Sequence, residues 1–258
     1  MLRRLFRRTA SARIPDALWT RILADPLFAH LAAPQREKLK TLSEAFLREK
    51  KFHGAHGLAL TDTMLVTIAA RATLLVLELG LSAYRGWVGI VLYPDEFVIP
   101  RRELDEDGIM HAYDEIAIGE AWDDGPVLLS WPDIQAADAG YDVVLHEFAH
   151  KLDLLDGEAD GVPRLHSGIP VAEWRATLEA AYHDFCQRVA VAESRPPPAA
   201  QAALEQLPLD AYAAEDLSEF FAVASETFFS APQPLARTYP AFYHLLTRFY
   251  RQNPLGRN

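Results

Sequence analysis

The pentapeptide His146-Glu147-Phe148-Ala149-His150 constrains this chain more than any other feature. It lies within residues 141–157, where the apolar positions Val144, Leu145, Phe148, Ala149, Leu152 and Leu155 recur at helical spacing and stop at Asp156-Gly157. Two imidazoles four residues apart on a helix project from one face at a separation that suits a metal ion. Glu147, one step on, flanks the open side. A metal held there would bring the ionisation of water toward neutral pH, and the neighbouring carboxylate can take the proton and pass it to a leaving amine. The arrangement is a peptide-hydrolysing one.

A single cysteine, Cys186, rules out an internal disulfide and a thiolate cage, and fits a reducing cytoplasm. Any metal must therefore be held by histidine and carboxylate, and the third ligand has several candidates. Asp156 stands where a metzincin would place one, but the glycine that pattern needs is Asp153 here. Continued as a helix, the intervening residues carry Asp156 about 15 Å from His146 at the standard rise. His166 lies among Gly161, Pro163 and Gly168 with no motif around it. The helix expected over residues 214–230 offers Glu215, Glu219 and Glu226, of which the last two, seven apart, share a face. Glutamates on so apolar a face are costly to bury unless paired or metal-bound. Periodicity does not choose between them. A purely structural zinc is disfavoured, because such sites close their fourth position with cysteine or histidine.

Acids outnumber bases 36 to 25, a net charge of −11, so the chain as a whole repels nucleic acid and acidic lipid. The exception is a basic arm over residues 1–14, with Arg3, Arg4, Arg7, Arg8 and Arg13, which reads as a solvated segment. Leu5 and Phe6 sit between arginine pairs and leave no apolar core for an export signal. The most apolar stretch, residues 64–84, carries Arg71 and Glu78, so no membrane span is expected.

With 258 residues and half of them hydrophobic, the chain is expected to form one domain over 1–258. Residues 15–51 read as two or three helices broken near Pro26 and Pro34, and Thr61 or Asp62 caps a long helix running toward Gly80. Residues 53–57 read as a turn, and 87–92, 97–99 and 127–131 as short strands, the last a candidate edge for pairing with a substrate backbone. A helix is expected over 171–191. The segment 194–200, with Pro196, Pro197 and Pro198, reads as an extended surface loop. Phe148, Phe220, Phe221 and Phe228 are expected in the core rather than in a specificity pocket. The fold class is α+β, mainly helical, with a small sheet beside the histidine-bearing helix and a helical amino-terminal portion.

The string 146–153, together with Tyr212-Ala213-Ala214 and the string 219–226, resembles the Mlc titration factor A family of bacterial zinc peptidases. The resemblance runs the length of the chain and takes in residues 46–57, Tyr93-Pro94-Asp95-Glu96-Phe97 and Gly119-Glu120-Ala121-Trp122. It implies a zincin-like, gluzincin-type core, similar in plan to the anthrax lethal factor catalytic domain. One Zn²⁺ per chain would be held by His146, His150 and Glu219, with Glu147 as general base and the Tyr212 phenol stabilising the oxyanion. The resemblance assigns Glu226 no role, and we read it as hydrogen-bonding a ligand histidine. The resemblance further implies a peptide substrate, an aminopeptidase mode, and a regulatory partner, the glucose repressor Mlc, whose sequestration could coexist with hydrolysis; the charge and apolar pattern already speak against direct nucleic-acid or membrane contact.

Overall fold

The computed structural model describes residues 14–104, 110–117, 119–121 and 125–256. The basic arm lies outside the described residues, except for Ile14, which is buried. The amino-terminal portion is helical, as its spacing predicts: α1 (Asp16–Ile22), a 3-10 turn Pro26–Phe28, and α2 (Ala33–Glu49). Strand β1 (Lys51–Gly54) follows directly, so the first two residues of the expected turn belong to a strand; the turn proper is a 3-10 segment, Ala55–Gly57. Helix α3 (Asp62–Leu75) starts where the sequence indicates, with the Thr61 hydroxyl accepting from the Met64 amide at 3.3 Å. It ends short of Gly80.

Next come β2 (Gly89–Tyr93), the hairpin β3 (Phe97–Leu104) and β4 (Met110–Ala117), then β5 (Gly119–Ala121) and β6 (Val127–Ser130). Helices α4 (Trp131–Gln135), α5 (Val143–Asp153), α6 (Val171–Glu193), α7 (Pro197–Leu204), α8 (Leu217–Ser230), α9 (Pro232–Thr238) and α10 (Pro240–Tyr250) complete the chain. Helix α7 corrects the loop expected over 194–200: its first residues are Pro197 and Pro198. Proline is tolerated in a first helical turn, where no intrahelical N–H bond is lost. The segment is nonetheless largely exposed. None of the helices among the described residues is long and apolar enough to cross a membrane.

The main sheet has the order β1-β2-β6-β5, with β1, β2 and β6 parallel and β5 antiparallel to β6. The expected edge at 127–131 is therefore an interior strand, hydrogen-bonded on both sides, and among the described residues β1 and β5 end the sheet. Burial explains this: all four residues of β6 are buried. Val127 and Leu129 join Ile90 and Leu92 against the helices, whereas Leu128 packs with Phe97 on the opposite face. Helix α5 lies on the helical side. Its Phe148 ring sits 5.7 Å from Phe46, 5.3 Å from Tyr84 and 5.6 Å from Trp87, between centroids, so the face opposite the histidines is locked into the core. Phe220, Phe221 and Phe228 are also fully buried, as expected of core residues.

Arg71, the charge that interrupts the apolar segment, is buried and joins three parts of the fold. Its guanidinium lies 3.2 Å from Asp25 Oδ2 and 3.3 Å from Asp142 Oδ2, and donates to the Ile134 carbonyl at 2.8 Å. A buried arginine is tolerable only when so many of its donors are satisfied. Asp142 is the residue that starts α5.

Candidate metal centre

The site is built from two helices, α5 and α8, that lie against each other. Asp142 caps α5, its Oδ1 accepting from the amides of Val144 at 3.0 Å and Leu145 at 3.1 Å. Burial raises its carboxyl to about 6 against the lowering influence of Arg71 and the two amides. Asp216 caps α8, accepting from the Glu219 amide at 2.8 Å, which sets Glu219 in the first turn.

His146 and His150 then stand one helical turn apart with their Nε2 atoms 3.2 Å from each other. Glu219 closes the triangle: Oε2 is 3.2 Å from His146 Nε2 and Oε1 is 3.4 Å from His150 Nε2. One ligand atom from each of the three lies within 4.8 Å of the others. Among the described residues this is the one cluster of histidine, cysteine and acidic groups compact enough to hold a metal ion.

The donor set fits a metal. Each imidazole turns Nε2 inward, while its Nδ1 is engaged outward: His146 Nδ1 lies 3.4 Å from Glu226 Oε2, and His150 Nδ1 lies 3.1 Å from Ser218 Oγ. That pattern leaves the inner lone pairs free to converge. Glu219 Oε2 is buried without a hydrogen bond of acceptable geometry, an orphan that a cation would satisfy. Electrostatics point the same way. Burial pushes the Glu219 carboxyl up, but the facing imidazoles of His146 and His150 outweigh it and hold it well below the usual carboxylate range. Burial lowers His146, yet contacts with Glu219 and Glu226 and the charge of Glu147 hold it well above its ordinary value. Positive charge is favoured where the three groups meet. Two imidazole nitrogens and one carboxylate oxygen are a donor set that suits a divalent metal ion with a coordination position left open.

The remaining residues singled out in the sequence fall around this triangle. Glu147 is 5% exposed, and its carboxylate packs on Gly119 of the edge strand β5 so closely that a Cβ there would lie 2.4 Å from Oε1. Tyr212 sits in a 3-10 turn, Ala211–Ala214, capped by Asp210; half exposed, its ring centroid is 6.2 Å from that of His146. Glu226 is buried at the far end of α8, where Oε1 also accepts from the Asp142 amide. Glu215 is exposed ahead of α8 and stays outside the cluster. His166 is turned elsewhere, with Nε2 3.0 Å from the Arg248 carbonyl. Sequence reasoning missed Gly119 as a packing partner of Glu147, and missed Ser218 altogether.

The sequence profile of the family described as glucose-regulated metallo-peptidase M90 matches residues 2–251. The chain is 39% identical over 243 residues to a protein of Klebsiella pneumoniae named Mlc titration factor A, a match covering 93% of this chain and 87% of that protein. A Yersinia pestis protein of the same name is 35% identical over 244 residues, covering 93% of this chain and 86% of that one.

Proposed function

The chain belongs to the glucose-regulated metallo-peptidase M90 family, and from that membership we propose that it is a zinc-dependent peptidase of the cytoplasm, acting on short peptides as an aminopeptidase. The observation that carries the reading is the convergence of His146, His150 and Glu219 with their inner nitrogen and oxygen atoms facing one another. In this reading the three residues hold one zinc ion per chain. Zinc bound there supplies Lewis acidity, making water nucleophilic near neutral pH and polarising the scissile carbonyl. Glu147 accepts a proton from the attacking water on a carboxylate oxygen and delivers it to the leaving amine nitrogen. The Tyr212 phenol, at the exposed rim, donates to the oxygen that gains negative charge. Among the described residues β5 ends the sheet on this side, the place where an extended substrate backbone could pair.

Elemental analysis of purified protein, beside hydrolysis of chromogenic amino-acid amides, tests the reading. One zinc per chain is expected, with activity lost on chelation and restored by zinc. Protein purified without chelators that holds no metal and gains no activity with zinc would overturn it.

Gly119 gives a sharper test of the general base. A methyl group at this position collides with Oε1, Cγ and Cδ of Glu147, at 2.4, 2.7 and 2.8 Å. The buried side chain has to shift, and its carboxylate leaves its working position. Gly119→Ala is therefore expected to keep its zinc while kcat/KM falls by about 10²-fold, the scale of a misplacement near 1 Å. Wild-type turnover in that variant would remove Glu147 from the proton path.

Two of the chain's relatives are named for titrating Mlc, and this supports a second role, the binding of a repressor of that kind. The net charge of −11 suits association with a basic DNA-reading partner.

A further inference from the structure

We propose that Ser218 and Asp153 form a positioning relay for His150, fixing which of its ring nitrogens faces the metal. The inference rests on the metal-centre reading above. Asp153 is fully buried at the end of α5, and its Oδ2 accepts two hydrogen bonds, from the Gly161 amide at 2.9 Å and from the Ser218 hydroxyl at 2.7 Å. The loop supplying that amide is fixed in place: the Gly161 carbonyl accepts from Trp174 Nε1 at 2.8 Å. Gly161 has φ +75°, and a Cβ on it would lie 2.4 Å from the carbonyl oxygen of Leu217, the residue before Ser218. Only glycine brings this loop so close to the start of α8.

The direction of the relay follows from counting hydrogens. Burial raises the Asp153 carboxyl to about 6 against the hydrogen bonds from Ser218 and Gly161. Oδ2 accepts from the Gly161 amide and from the Ser218 hydroxyl. A hydroxyl has one hydrogen, and here it is committed. The Ser218 oxygen is left as an acceptor, and the ring nitrogen 3.1 Å away, His150 Nδ1, must bring the hydrogen. His150 then carries its proton on Nδ1 and turns the Nε2 lone pair toward His146 and Glu219.

The two histidines are thus held by different means. His146 meets a carboxylate directly, Glu226 at 3.4 Å, whereas His150 meets a hydroxyl with the carboxylate one step behind. The interposed hydroxyl fixes the tautomer of His150 while keeping the Asp153 charge at a distance. Ser218 and Asp153 touch neither substrate nor metal; they act through His150.

The test compares the parent, Ser218→Ala and Ser218→Thr, each loaded with zinc. Its readouts are the zinc dissociation constant from chelator competition, the His150 tautomer from two-bond ¹H–¹⁵N spectra, and the unfolding midpoint without metal. The parent is expected to bind zinc with the Nδ1–H pattern at His150. Ser218→Ala is expected to bind about 10- to 100-fold more weakly and to lose that pattern, with a metal-free midpoint close to the parent's, and Ser218→Thr to restore both. Parent-like affinity and spectra in Ser218→Ala would overturn the relay alone, as would a zinc-loaded parent in which His150 carries its proton on Nε2. A parent that binds no zinc would overturn the metal-centre reading and the relay with it.

Discussion

Glu147→Gln is expected to keep its zinc and to lose turnover by about 10²- to 10⁴-fold, the range that general acid–base catalysis contributes. Glutamine matches glutamate in volume, so the close packing against Gly119 is preserved. What is lost is the capacity to hold a proton between water and the leaving amine. His146, His150 and Glu219, the proposed ligands, are untouched, and metal content should stay at one zinc per chain. Unchanged turnover with zinc retained would remove the general-base role. The same variant separates the two proposed roles. If one scaffold serves both, a catalytically silent Glu147→Gln protein still binds an Mlc-type repressor in a pull-down, because the substituted group is 5% exposed and adds almost nothing to any surface. Loss of both activities together would tie repressor binding to the catalytic cleft.

Much of the site was legible in the sequence because it depends on local spacing. The period of α5 and the histidine pair on one of its faces need nothing beyond helical geometry, and the structure forms α5 over Val143–Asp153. The choice between Glu219 and Glu226 was not local. They lie seven apart on one face, and only the way α8 lies against α5 brings Glu219 to the Nε2 side and Glu226 to the Nδ1 side. Ser218 carried no signal, since a serine in a first helical turn looks like capping chemistry. The three-residue strand β5 was too short to show a period, so the sheet edge was assigned to β6 instead. The proline-rich segment misled for a related reason: proline marks a helix start as readily as a loop, and α7, α9 and α10 all begin at proline.

The choice between the glutamates leads to the second large effect. Glu219→Ala is expected to lose its zinc on dialysis and its hydrolysis with it, whereas Glu226→Ala keeps measurable binding, weakened about 10- to 100-fold, because Glu226 meets His146 at its outer nitrogen and not at the inner one. Thermal unfolding with and without zinc distinguishes the two. A ligand present at a thousand times its dissociation constant stabilises the folded state by about 4.1 kcal/mol. The parent should show an increment of that order, and Glu226→Ala a smaller one. Glu219→Ala should show close to none.

The absolute midpoint is a poorer guide than this increment. The Glu219 carboxyl is held well below its ordinary range in the metal-free fold, with burial opposing and the two imidazoles prevailing. A depressed carboxylate stabilises the fold above its unfolded ionisation range and ceases to do so as pH falls through the folded one. Truncating it therefore lowers the metal-free midpoint at neutral pH for reasons unrelated to zinc. The zinc-dependent increment subtracts that cost, since each protein serves as its own reference. An increment in Glu219→Ala equal to the parent's would place the third ligand elsewhere, and one abolished in Glu226→Ala but not in Glu219→Ala would exchange the roles of the two glutamates.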